Sequence, residues 1–256
     1  MMRITDTVKH LLIINVLFFV GTLILGGSNM NANPIVELLA LHFPANPDFK
    51  IWQTFTHMFM HGGIAHIAFN MFALYSFGGL LEQMWGPKKF IFFYISCGLG
   101  SAALHIGVNY YYYHSAIEIL TDNGFAKDHI LDLLNKGMID TRWKEVLTEL
   151  QFENFAGGYT TPMLGASGAI YGLLVAFAFM FPEIPLMLMF IPVPIKAKYF
   201  VPGVLVMDLF LGLRGQSIFG FGNDGIAHFA HLGGALLGFI MMWYWKKNEH
   251  NNRRWN

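Results

Sequence analysis

Four side chains with chemistry to offer lie inside apolar stretches of this sequence. They are a serine in Gly165-Ala-Ser167-Gly168, a histidine in His231-Leu-Gly-Gly234-Ala-Leu-Leu-Gly238, and a histidine and an asparagine in His66-Ile-Ala-Phe-Asn70. Polar groups in such surroundings cost free energy that only a partner or a task offsets. A serine hydroxyl is a weak nucleophile until a neutral imidazole takes its proton, which makes His231 the natural base for Ser167. Attack on a carbonyl then creates an oxyanion, and each preorganised donor aimed at it contributes about 2.7–4 kcal/mol in a water-poor site. His66 and Asn70 are four apart, share one helical face and can both donate; the Ser167 backbone N–H adds a third donor if a helix starts there. Tyr171, one turn beyond Ser167, can pack on the His231 ring and hold its orientation. Taken singly, each residue has a plainer role: a serine bonded to the preceding turn, a histidine or asparagine linking two helices, a core tyrosine. Their joint placement is what calls for a catalytic reading.

The elements that must position them follow from composition. The chain of 256 residues is 55% hydrophobic and 12% charged, against about 25% charged in soluble domains. Fifteen Met, 25 Phe and 27 Gly suit helices packed in lipid, because small residues allow close helix approach. Six apolar segments, at about 10–27, 62–81, 88–110, 166–181, 198–213 and 226–245, approach the roughly 20 residues needed to cross hydrocarbon. The fourth and fifth are short, which suggests local thinning or a water-filled recess beside them. With six crossings the second, fourth and sixth helices run in the same direction. Ser167 then opens its helix and His231 sits about five residues, roughly 8 Å, into its own, so the two can meet in the outer half of the bilayer. Gly168 and Gly172 on one helix and Gly234 and Gly238 on the other form the expected contact seam.

Orientation comes from the basic residues. Arg3, Lys9, Lys88, Lys89, Lys196, Lys198, Lys246, Lys247, Arg253 and Arg254 fall on the side shared by both termini, ten of the sixteen, which places the termini in the cytoplasm. An acidic insertion at about 114–161 lies on the opposite side. Its spacings Ile130, Leu131, Leu134 and Trp143, Val146, Leu147, Leu150 predict two amphipathic helices at the outer surface, read as a solvated decoration. Pro182, Pro185, Pro192, Pro194 and Pro202 predict irregular chain between the fourth and fifth helices, with a helix restart near Lys198. Net charge is zero, which gives no reason to expect a nucleic acid partner. The single cysteine, Cys97, cannot form an internal disulfide. The first apolar run is read as a retained helix, because Ser28-Asn29-Met30-Asn31 follows it in place of a small-x-small cleavage site.

At these residues the sequence resembles the rhomboid proteases: Gly165-Ala-Ser167-Gly168 matches their GxSG, His66 to Asn70 their HxxxN, and His231 to Gly238 their HxxGxxxG helix, in family order. The resemblance spans about Leu11 to Trp245. It implies an all-α, polytopic membrane protein, a six-transmembrane-helix bundle forming one domain over 1–256. It also implies an intramembrane serine endopeptidase acting on single-pass membrane proteins in the lipid bilayer, with a Ser167–His231 dyad, an oxyanion site of His66, Asn70 and Ser167, and support from Tyr171, Gly165, Gly168, Gly234 and Gly238. No metal and no organic cofactor is implied. The membrane expected is a bacterial plasma membrane, because no organellar presequence is evident. The long insertion departs from a compact rhomboid core and bears on substrate access or partner choice.

Several features compete with that reading. His228 lies about 300° around the helix from His231, and His231 is preferred chiefly because it begins the HxxGxxxG spacing. Asp224, in the loop before the sixth helix, is read as a turn residue or cap. Gly220-Phe-Gly222-Asn-Asp-Gly225 matches GxGxxG, but no strand precedes it, so it is read as a loop over the site and not as a nucleotide cradle. Gly-Ala-Ser-Gly-Ala lacks the last glycine of the nucleophile elbow. The rival classes are an inactive rhomboid relative that binds membrane clients, a haem or metal protein using His57, His61, His228 and His231, and a transporter. Neither histidine pair carries the HExxH glutamate, and no inverted repeat is visible.

Overall fold

The structure, a computed structural model, describes residues 4–27, 29, 33–188, 191–215 and 225–252. Helices dominate them. α1 (Asp6–Gly26) is followed by the short α2 (Pro34–Leu39) and α3 (Gln53–Thr56), with a 3-10 turn at His57–Phe59. α4 (Ile64–Ala73) passes through a π turn at Leu74–Gly78 into α5 (Gly79–Trp85), one continuous span of 22 residues. α6 (Pro87–Asp122) is next, then α7 (Lys127–Asn135), α8 (Glu149–Thr160), α9 (Ser167–Met180), α10 (Ala197–Arg214) and α11 (Gly225–Asn252). α1, the Ile64–Trp85 span and α6 are each long and apolar enough to cross a membrane, and α9 is a shorter apolar helix.

Local chemistry sets the corners. Gly86 (φ 75°) ends α5 and Pro87 opens α6, which uses the one residue whose missing N–H costs a helix start nothing. Buried Glu82, from α5, accepts from Thr5 Oγ1 at 2.5 Å and from the backbone N–H groups of Thr7 and Val8 at 3.0 and 2.9 Å. A carboxylate at the first turn of α1 thus satisfies donors that the helix itself leaves orphaned. The central core, with Leu11, Met58, Leu74, Phe93, Tyr94 and Leu173, joins α1, the 3-10 turn, the π turn, α6 and α9.

Three expectations need correction. The third apolar helix does not stop near 110 but runs on to Asp122. Its last turns place Ala116, Ile117 and Leu120 against Ile130 and Leu134 of α7, Trp143, and Phe152, Phe155 and Tyr159 of α8, with Phe43 closing the cluster. The insertion therefore packs around an apolar cluster that the end of α6 and Phe43 complete. Its second amphipathic stretch is divided, because Thr148 starts a fresh helix with a capping box: Gln151 N–H donates to Thr148 Oγ1 and Thr148 N–H to Gln151 Oε1.

Second, the chain is not wholly helical, since β1 (Pro185–Leu188) pairs antiparallel with β2 (Ile191–Lys196). Prolines exclude a helix there and are tolerated in a hairpin whose strands are both edges. Third, Pro202 does not break the chain, because α10 begins at Ala197 and continues through it. Asp224 and the segment from Gly220 to Asp224 lie outside the described residues.

Candidate active site

The approach to Ser167 is fastened by main-chain bonds before any side chain acts. Leu41 and Met163 exchange reciprocal N–H···O bonds of 2.8 Å, and Gly165 N–H donates to His57 O at 2.9 Å. The 3-10 turn carrying His57 is itself held by Met58, fully buried against Gly98 of α6. Gly165 takes φ +129°, and a Cβ there would stand 2.9 Å from the ring atoms Cε1 and Nε2 of His66. Only glycine meets both demands. α9 starts at Ser167, so this residue's N–H has no acceptor within the helix and is free to serve the site.

His231 Nε2 lies 2.9 Å from Ser167 Oγ. The imidazole stacks on the Tyr171 ring with centroids 4.3 Å apart and planes 12° from parallel. The approach depends on the glycine seam. A Cβ on Gly234 would overlap the Gly168 carbonyl, and one on Gly238 would lie 2.8 Å from Gly172 Cα. α9 and α11 are thus in backbone contact at Gly168 and Gly172, and Ser101 and Cys97 of α6 fill the third side of the crossing.

His66 and Asn70 stand on α4, and the His66 ring lies against Gly165. Gly62 N–H points to His66 Nδ1 at 3.4 Å. With Nδ1 as acceptor the neutral ring carries its proton on Nε2, the nitrogen that faces Gly165. Asn70 is buried, and its Nδ2 donates to His66 O at 2.8 Å. One amide N–H is therefore committed to its own helix, and any oxyanion role rests on the other.

Sequence reasoning missed Asp208. It sits on α10, 1% exposed, with Oδ1 2.5 Å from His228 Nδ1 and Oδ2 3.5 Å from His231 Nδ1. The signal was available, because it is the one acidic residue in the apolar stretch Ala197–Arg214. Gln53 was missed too: fully buried, it accepts from the His42 and Lys50 N–H groups and donates to the carbonyls of Glu37 and Asp48, which closes the loop ahead of His57.

Among the described residues, the one group of three side chains spaced to hold a metal is Asp208, His228 and His231. A 2.5 Å separation between two donor atoms is shorter than about 3.4 Å, the spacing of two ligands each about 2.1 Å from a tetrahedral zinc. It fits a shared proton. The His57 and His61 pair is not part of such a group, since His57 Nδ1 contacts Gln53 O and the His61 ring meets His66 edge-on. An apolar cleft of about 430 Å³ bordered by Val175, Val201, Leu205 and Leu236 contains none of the polar residues of the site.

Comparison with known proteins gives the family. The Rhomboid domain family matches residues 48–248. The chain is 26% identical over 197 residues to Rhomboid protein 1, mitochondrial, of Saccharomyces cerevisiae, covering 77% of this chain and 42% of that protein. It is 26% identical over 223 residues to the human presenilin-associated rhomboid-like protein, mitochondrial, covering 84% and 45%. Against Rhomboid protease GluP of Bacillus subtilis it is 34% identical over 80 residues, 31% of this chain and 16% of that one. The chain thus spans less than half the length of the first two relatives. With the family match extending from the loop before α3 into the last turns of α11, the chain belongs to the rhomboid family of multi-pass membrane proteins.

Proposed function

We propose that this chain is an intramembrane serine endopeptidase that cuts transmembrane segments of single-pass membrane proteins. The observation that carries the reading is the 2.9 Å contact between Ser167 Oγ and His231 Nε2, with the imidazole held flat against Tyr171. Ser167 attacks the scissile carbonyl carbon while its proton passes to Nε2. The resulting oxyanion takes hydrogen bonds from the Ser167 N–H, His66 Nε2–H and the free Asn70 amide N–H. Collapse of the adduct releases the amine, which receives the proton from His231, and leaves an acyl-enzyme. Water then adds with His231 again as base, and Ser167 leaves as the hydroxyl. A substrate segment must unwind to expose its carbonyl, so small, helix-breaking residues near the cut are expected.

The topology that goes with this function is one membrane domain over 1–256 with six crossings, made by α1, α4 with α5, α6, α9, α10 and α11. Both termini are cytoplasmic, the insertion and the open end of the site are outside, and the membrane is a bacterial plasma membrane. The asymmetry of basic residues supports the orientation.

The test is cleavage of a single-pass reporter, in detergent and in liposomes, with fluorophosphonate labelling of the serine alongside. Wild type cleaves and labels, and Ser167→Ala and His231→Ala do neither. A folded wild type that neither labels nor cleaves several reporters would replace this reading with a client-binding rhomboid relative.

A further inference from the structure

We propose that Asp208 is the positioning residue for His231, so that the site works as a serine, a histidine and a carboxylate brought in by α10; this rests on the proposed function. The argument begins with the chemistry of the imidazole. If Nε2 is to take the Ser167 proton it must be the unprotonated nitrogen, so the ring proton sits on Nδ1. That Nδ1 is buried and closes no hydrogen bond, and it faces Asp208 Oδ2, also buried, at 3.5 Å; the Tyr171 side chain interacts with the same carboxylate. A buried donor and a buried acceptor are thus separated by little more than a hydrogen bond.

The carboxylate is fixed in place to do this. Its other oxygen is held by His228 Nδ1 at 2.5 Å, which sets the plane of the group and leaves Oδ2 directed at His231. Among the described residues, the groups facing the pair are few. His228 and His231 come from α11, Tyr171 from α9 interacts with Asp208 as well as stacking on His231, and His66 of α4 lies within electrostatic range of His231. Neither Lys nor Arg appears among these groups, so the two histidines are the cations available to a carboxylate on an otherwise apolar stretch.

During attack His231 gains a second proton and becomes cationic. Its Nδ1–H is then drawn toward Oδ2, and the contact shortens to an ordinary hydrogen bond, as catalytic contacts commonly do in the reacting complex. The Nδ1 proton stays on the ring throughout, and only the Nε2 proton moves, from Ser167 and on to the leaving amine. Asp208 therefore selects the tautomer, holds the ring and stabilises the imidazolium without touching substrate.

The alternative is that Asp208 only ties α10 to α11 through His228. Asp208→Asn and His228→Ala separate the two, read by kcat/KM against pH on the reporter, the rate of fluorophosphonate labelling, and the thermal midpoint. Asp208→Asn should fall by on the order of 10²- to 10³-fold in kcat/KM, with the acidic limb of the profile moved to lower pH because a negative charge beside the imidazolium is gone. His228→Ala keeps that charge, so its limb should not move down, whatever its rate. If Asp208→Asn matches His228→Ala in rate and keeps the wild-type limb, the carboxylate is a helix tie and the proposal is overturned. An inert wild type would remove both this inference and the protease reading. Should Asp208→Asn fail to fold, the His231 Nδ1 proton in ¹⁵N-histidine-labelled wild type, assigned by its loss in His231→Ala, decides the matter. A strongly downfield resonance supports the contact, and an ordinary exchanging ring proton refutes it.

Discussion

Gly238→Ala probes whether the active site depends on backbone contact between α9 and α11. The new Cβ would stand 2.8 Å from Gly172 Cα, while relaxed carbon contacts lie at about 3.5–4.0 Å, so the helices must give by about 1 Å. The obstruction is backbone, and no rotamer change relieves it. If the helices part as rigid rods, Ser167 Oγ to His231 Nε2 opens from 2.9 Å to nearly 4 Å, beyond the roughly 3.2 Å reach of a hydrogen bond. A misplacement of that size costs about 10²-fold in rate, and overpacking costs about 1–3 kcal/mol of stability. The assay is kcat/KM on a reporter with the thermal midpoint measured in the same detergent. Gly234→Ala, whose Cβ meets the Gly168 carbonyl, should be more severe. Wild-type rate and midpoint in Gly238→Ala would refute the seam as the determinant of catalytic geometry. A lowered midpoint with unchanged rate would mean that the inner turns absorb the strain alone.

Gly107 of α6 has nothing within 4 Å of its added Cβ, so Gly107→Ala should raise stability by about 0.5–1 kcal/mol through helix propensity, and a lowered midpoint would contradict the contact picture. Gln53→Leu strands the His42 and Lys50 N–H groups and the carbonyls of Glu37 and Asp48; at about 1–3 kcal/mol for each buried group left unpaired, limited proteolysis should cut at 34–56 before other sites. Burial pushes His57 down from the usual 6.5 to about 4 and His61 to about 3. Between pH 6.5 and 4 the unfolded chain binds a proton at His57 that the folded chain refuses, so stability is full above 6.5 and falls with falling pH, by up to about 3 kcal/mol for His57. The thermal midpoint should drop between pH 7.5 and 5, and a flat profile would show that these rings are not buried neutral.

Much of the architecture was legible because hydrocarbon imposes its own signal. The apolar runs at 10–27, 62–81 and 166–181 correspond closely to α1, the Ile64–Trp85 span and α9. The expectation that Ser167 and His231 meet agrees with their 2.9 Å contact, and the glycine spacing named the helix face that α9 and α11 share. What sequence reading lost were features defined by contacts distant along the chain. Phe43 joins a core with Trp143 and Phe155, and no periodicity announces a loop residue that pairs with an insertion a hundred positions away. Gln53 was invisible for the same reason, since a polar residue in a loop looks solvated until its backbone partners are known. Asp208 differs. An acid in an apolar helix is a signal in itself, but α10 carries no motif to say which side chains the acid faces.

On the proposed function, the length of α9 has a consequence for where cutting would occur. Its 14 residues extend about 21 Å, short of the roughly 30 Å of hydrocarbon, and its first residue is Ser167, the proposed nucleophile. On the proposed topology, with its far end at the inner boundary, the helix would act as a ruler that fixes Ser167 about 9 Å beneath the outer one. On the proposed function the cleavage position is then measured from the cytoplasmic face. Thickening the bilayer by 3 Å would leave the enzyme's mark in place and move the outer boundary away from it, so the cut would fall about two residues deeper as counted from the outer end of the substrate's helix.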